Sequence, residues 1–96
     1  MIQWTLHATD CVGHIFDHIA ILKGKPAGYD ATGRIVRVVQ QLSAAPLAGK
    51  PCSREGLREI EVPGSPFVVV YAIEGEKVIV LAVYHRSQVW PEKLTA

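Results

Sequence analysis

Four side chains able to hold a transition metal or carry a proton recur in one short stretch: His7, Cys11, His14 and His18. Their spacing of i, i+4, i+7 and i+11 puts them on one stripe of a helix, and an i, i+4 pair of such donors can chelate zinc. Ile15 follows His14, so the stretch is not HExxH and no general base is placed beside the pair. The stripe is expected to be solvated or to face a partner, a second copy of the chain included, and no metal and no other cofactor is expected. A second group is basic. Lys50, Arg54, Arg58 and Arg86 could form a local patch, but Glu55, Glu59 and Glu61 lie among them and the formal net charge is only +1. A protein that grips phosphate backbones usually carries a clear basic excess, so a nucleic-acid role would have to rest on such a patch.

These residues need elements to position them. Ile2, Trp4 and Leu6 alternate with Gln3 and Thr5, the period of a half-buried strand. From about residue 8 the period becomes helical: Ala8, Val12, Ile15, Ile19 and Leu22 form one apolar stripe, with Thr9 and Asp10 as start signals and Lys23-Gly24 as the stop. Pro26 suits the first turn of a second helix, where Ala31, Ile35, Val38, Leu42 and Ala45 repeat the spacing until Pro46. The short connection predicts an antiparallel helical hairpin. Gly28 and Gly33 inside the second helix are read as close helix–helix packing or fraying at its start.

After an irregular stretch from Leu47 to Gly56, three strands are predicted: Leu57–Val62, Pro66–Ile73 and Val78–Tyr84. Pro63-Gly64-Ser65 and Glu74-Gly75-Glu76-Lys77 supply the turns between them. The order is β-α-α-β-β-β, an α+β fold with a two-helix hairpin packed on a mainly antiparallel four-stranded sheet. In the third strand Phe67, Val69, Tyr71 and Ile73 oppose Pro66, Val68, Val70 and Ala72. In the fourth, Val78, Val80, Ala82 and Tyr84 oppose Ile79, Leu81 and Val83. Both faces are apolar and a helical hairpin covers one, so the other is expected to meet a partner, or else the Leu47–Gly56 loop or the tail after Tyr84.

A chain of 96 residues has room for one domain, here residues 1–96. No apolar run reaches the roughly 18–20 residues of a membrane span. The start Met1-Ile2-Gln3-Trp4-Thr5 has no signal-peptide character. Cys11 and Cys52 form no CxxC unit, and reduced thiols in a cytoplasm are expected.

The last forty residues are specific. Arg54-Glu55-Gly56-Leu57-Arg58-Glu59-Ile60-Glu61-Val62-Pro63-Gly64-Ser65-Pro66-Phe67-Val68-Val69-Val70-Tyr71 resembles the pattern R..G.RE..V.G.PYVVVY of the ParE toxins. Val80-Leu81-Ala82-Val83-Tyr84-His85-Arg86-Ser87-Gln88-Val89-Trp90-Pro91 is similar to that family's closing IL.V.H..Q.WP. Trp4-Thr5 and Asp17-His18-Ile19-Ala20 resemble its earlier WT and DYIA positions. The resemblance, to the ParE/RelE superfamily, implies a plasmid-stabilisation type of toxin encoded beside a cognate antitoxin that wraps and neutralises it.

Two functions from different classes follow from the resemblance. ParE proper binds DNA gyrase and is not an enzyme; other relatives are ribonucleases that cleave messenger RNA on the ribosome. Such cleavage needs an acid, a base and cations for the phosphate. Nuclease relatives carry an arginine where Val68 stands, and the RelE type has lysines where Glu59 and Glu61 fall and an arginine where Gln88 falls. Tyr84-His85 instead resembles the terminal Tyr-His of YoeB-like nucleases, and an imidazole changes protonation near neutral pH. The nuclease alternative therefore uses His85 as acid or base, with Arg58 and Arg86 on the phosphate; the structural alternative for His85 is a strand-end hydrogen bond to backbone. Arg58 contacts a partner or bridges to a carboxylate such as Glu61 or Glu74. Trp90-Pro91 packs the tail on the sheet or contacts the target. The charge balance and Val68 favour the gyrase-binding reading, with Arg58, Arg86, Trp90, Val68 and Val70 as target or antitoxin contacts.

Overall fold

The computed structural model describes residues 1–52 and 54–87. Chain order is β1 (Ile2–Trp4), α1 (Leu6–Lys23), α2 (Lys25–Gln41), β2 (Lys50–Pro51), β3 (Arg58–Glu61), β4 (Phe67–Glu74) and β5 (Lys77–His85). The α+β layout is as expected, but the sheet has five strands in the order β1-β5-β4-β3-β2. The additional strand, β2, is a two-residue edge inside the stretch read as irregular. It has neither the length nor the apolar alternation by which a strand announces itself, and exists because Lys50 and Pro51 pair with Glu59 and Arg58. β1 pairs with β5 in parallel; every other pairing is antiparallel.

α1 begins earlier than its apolar stripe suggests. Thr5, not Thr9 or Asp10, is the cap: its Oγ1 accepts from the Ala8 N–H (3.1 Å) and donates to the Val80 carbonyl (2.9 Å), fixing the helix start to β5. Gly24, at φ 95°, ends α1 and starts α2, a backbone conformation that side chains with a Cβ rarely adopt. Pro26 lies in the first turn of α2, as expected. Behind the hairpin lies the core. Ala8, Ile35, Val39, Val69 and Val80 are buried in one cluster, and Leu42, Tyr71 and Val78 in a second.

One irregularity resets the alternation read from the sequence. Val70 pairs with Ala82 but Tyr71 pairs with Val80, so Leu81 is an extra residue on β5 and a β-bulge interrupts the ladder. Val78 and Val80 face the helices before the bulge; after it Val83 does, packed with Val69 and Phe67. The expected grouping of Ala82 and Tyr84 with Val78 and Val80 is thus corrected. His85, paired with Phe67, falls on the helix side.

Candidate functional site

The end of β5 carries the chemistry-bearing residues. The His85 ring meets Phe67 edge-on, with centroids 5.7 Å apart at 88°. Its Nδ1 accepts from the Ser87 backbone N–H at 3.1 Å and lies 2.7 Å from the Ser87 hydroxyl. An N–H can only donate, so Nδ1 is an acceptor and the neutral ring carries its proton on Nε2. The strand-end contact to backbone is therefore present. Next to it, the Arg86 N–H donates to the Pro66 carbonyl (2.7 Å) and its guanidinium to the Ser65 carbonyl (3.3 Å). Arg86 also pairs with Glu61 at 3.5 Å, with both side chains more than half exposed, so the pair adds little stability.

His85 opens onto a groove of about 430 Å³ between the helical hairpin and the β3–β4 turn, lined also by His18, Ile19, Leu22, Arg34 and Phe67. Cys11 and His14 border the adjoining groove. Within the stripe, Cys11 Sγ lies 3.6 Å from His7 Nε2. Among the described residues no three His, Cys, Asp or Glu side chains converge as metal ligands.

Arg58 stands elsewhere. It pairs with Tyr71, which pairs with Val80, five positions before His85 and roughly 17 Å away along the strand. Its guanidinium donates to the carbonyls of Gly49 (2.6 Å) and Leu47 (3.4 Å). Among the described residues Arg58 forms an ion pair with neither Glu61 nor Glu74, and the expected carboxylate bridge is replaced by a clasp on the loop after α2. Tyr71 completes the clasp: its hydroxyl donates to the Pro46 carbonyl (2.7 Å) and accepts from the Gly49 N–H (2.9 Å). The structure thus brings His85 and Arg86 together but leaves Arg58 apart. Sequence reasoning missed the Tyr71 role, although a tyrosine at an inward strand position signals that its hydroxyl needs a polar partner.

The face away from the helices is not an open apolar patch. Val68 is 4% and Val70 0% exposed, so the chain by itself leaves little of either residue open, in line with the alternative in which it covers this face itself. Glu59 and Glu61 pair with Val70 and Val68, placing carboxylates on this face. The Tyr84 hydroxyl donates to Glu59 Oε2 at 3.1 Å. Burial first, then the Glu59 hydrogen bond and charge, push the Tyr84 phenol up to about 12. Carboxylates here oppose a phosphate. Trp90 and Gln88 lie outside the described residues.

The family described as "ParE toxin of type II toxin-antitoxin system, parDE" matches residues 2–90. The chain belongs to the ParE toxin family. A protein of Sinorhizobium fredii named "Putative toxin Y4kP" is 32% identical over 94 residues, covering 97% of this chain and 95% of that one. Among solved structures, the chromosomal ParDE TA system from P. aeruginosa superposes with a TM-score of 0.80 at 27% identity, over 88% of this chain and 92% of that one. The toxin–antitoxin complex RelBE2 from Mycobacterium tuberculosis shares the fold, with a TM-score of 0.66 at 23% identity over 92% of each chain. As a ParE-family toxin, the chain has the family's helical hairpin on a sheet, and no described helix is long and apolar enough to cross a membrane.

Proposed function

We propose that this ParE-family toxin arrests growth by binding DNA gyrase in the cytoplasm, without catalysis, and that a cognate antitoxin neutralises it. The observation that supports the non-enzymatic reading is the separation of Arg58 from His85. The cation that would stabilise a phosphate is engaged on the Gly49 and Leu47 carbonyls, roughly 17 Å along the sheet from the candidate acid or base. Affinity then comes from a few buried anchors. Arg86, exposed beside the groove, and Trp90 are the proposed contacts; Arg58 acts on the loop, and Val68 and Val70 meet a partner only when their own cover moves. The antitoxin reading draws on the relatives solved as toxin–antitoxin systems.

The test is DNA supercoiling by purified gyrase with increasing toxin, with and without antitoxin. Inhibition relieved by antitoxin supports the proposal; uninhibited supercoiling at saturating toxin sinks it. The nuclease alternative keeps one supporting observation, the adjacency of His85 and Arg86 at the groove. It is tested by messenger RNA cleavage on ribosomes with wild type and His85→Ala.

A further inference from the structure

His7 and Cys11 sit one turn apart in the first half of α1, with Cys11 Sγ 3.6 Å from His7 Nε2. An ion bound tetrahedrally by a thiolate sulfur at ~2.3 Å and an imidazole nitrogen at ~2.0–2.1 Å holds those two atoms about 3.5–3.6 Å apart. The pair is therefore already spaced as two ligands of one ion. The helix beneath it is fixed, because Thr5 caps its start, Ala8 is fully buried and Cys11 packs against the core. Donors carried on a rigid element keep their spacing, and His7 is exposed, so the pair is open to solvent. His14 and His18 repeat the spacing further along α1. Among the described residues, however, no third His, Cys, Asp or Glu converges on the pair.

We propose that His7 Nε2 and Cys11 Sγ form a two-ligand site for a zinc-class divalent cation on the surface of α1. Thiolate and imidazole together suit zinc, whereas magnesium and calcium take oxygen ligands. On binding, the Cys11 thiol gives its proton to solvent, and neutral His7 offers the Nε2 lone pair while its ring proton stays on Nδ1. Two positions of the tetrahedral ion are left for water, so the ion exchanges, unlike one in a closed structural site with four protein ligands. The folded helix holds the two donors at the ligand spacing, so the ion favours the folded chain and stabilises it by mass action. The site shares no residue with the proposed gyrase contacts and stands whether or not gyrase is the target.

The test titrates untagged, reduced protein with cobalt(II), whose bond to a thiolate gives a sulfur-to-metal charge-transfer band, and then displaces it with zinc. Cys52→Ser leaves Cys11 as the sole cysteine and is expected to keep the band. Cys11→Ser, with Cys52 intact, is expected to lose it. His7→Ala on the Cys52→Ser background is expected to weaken cobalt binding at least about tenfold, no less than the loss of an outer-shell partner costs a metal site. His14→Ala on that background is expected to leave it near its original value. Circular dichroism checks that each variant is folded, and His7→Gln repeats the test should His7→Ala fail to fold. No charge-transfer band in the Cys52→Ser protein overturns the proposal. So does undiminished binding in folded His7→Ala or His7→Gln, which would make Cys11 a ligand without its proposed partner. Binding abolished by His14→Ala but kept in His7→Ala also overturns it, since the ligand pair would then be a different one.

Discussion

Gly28 of α2 lies against Phe16 of α1 so closely that a Cβ at Gly28 would come within 2.9 Å of two ring atoms and 3.2 Å of the Phe16 carbonyl. Phe16 also packs against Tyr29, with ring centroids 4.8 Å apart. The Phe16 carbonyl, being helix backbone, cannot give way without moving α1. Gly33, in the same helix, has nothing within 4 Å of its Cβ position. Two glycines of equal cost to helix propensity thus serve different ends, and they predict opposite mutational signs. Gly28→Ala should destabilise by about 1–3 kcal/mol through overpacking. Gly33→Ala should stabilise by about 0.5–1 kcal/mol. Urea denaturation of both variants checks the pair; the same sign for both would refute the packing argument.

Thr5 joins a helix cap to the sheet. Thr5→Ala removes the bond to the Ala8 N–H and the bond to the Val80 carbonyl, and is expected to cost about 1–2 kcal/mol. Thr5→Ser keeps the hydroxyl and should recover most of that loss. Thermal unfolding separates the two, and equal destabilisation by both would show that the methyl group and not the hydroxyl matters.

The Tyr84 phenol, pushed up to about 12 by burial and then by Glu59, carries a pH signature. An unfolded tyrosine titrates near 10. Below that value the phenol is neutral in both states and its contribution to stability is fully present. Between about 10 and about 12 the unfolded chain loses this proton while the folded chain keeps it, so the contribution is lost as pH rises. Glu59→Gln is expected to lower the phenol only part of the way, because burial is the larger cause. Ultraviolet titration of phenolate in the folded protein measures this, with Tyr71 and Tyr29 assigned by Tyr→Phe variants. A Tyr84 titration near 10 would contradict the burial assignment.

Arg58 and His85 should behave as residues of two separate sites. Arg58→Ala removes a charge-assisted bond to Gly49 and is expected to cost about 1.5–3 kcal/mol of stability. His85→Ala loses an exposed ring and is expected to change stability by less than about 0.5–1 kcal/mol while gyrase inhibition persists. Their double variant should be additive, as for distant sites without shared partners. A coupling energy well above about 0.5 kcal/mol would mean that the two side chains share a site after all.

Much of the architecture was legible in residue spacing. The helix of Ile35, Val38 and Leu42, the stop at Gly24, the turns at Gly64 and Gly75 and the apolar β4 and β5 follow from local periodicity and turn chemistry, which act between near neighbours. The family, too, was readable from strings around Arg58, Phe67 and Trp90.

What only the tertiary structure decided was everything that depends on pairing between distant segments. Lys50–Pro51 becomes a strand because β3 offers it an edge, and β1 is parallel because it docks beside β5. The bulge at Leu81 has no local signature, yet it reverses the alternation and brings His85 to the helix side beside Phe67. Arg58 looked like a site cation, but its use was set by carbonyls nine and eleven residues away in the chain. Periodicity reports which residues share a face of one element. Which strand continues past a neighbour, and which carbonyl lies within reach of a guanidinium, is fixed only when the elements are packed together.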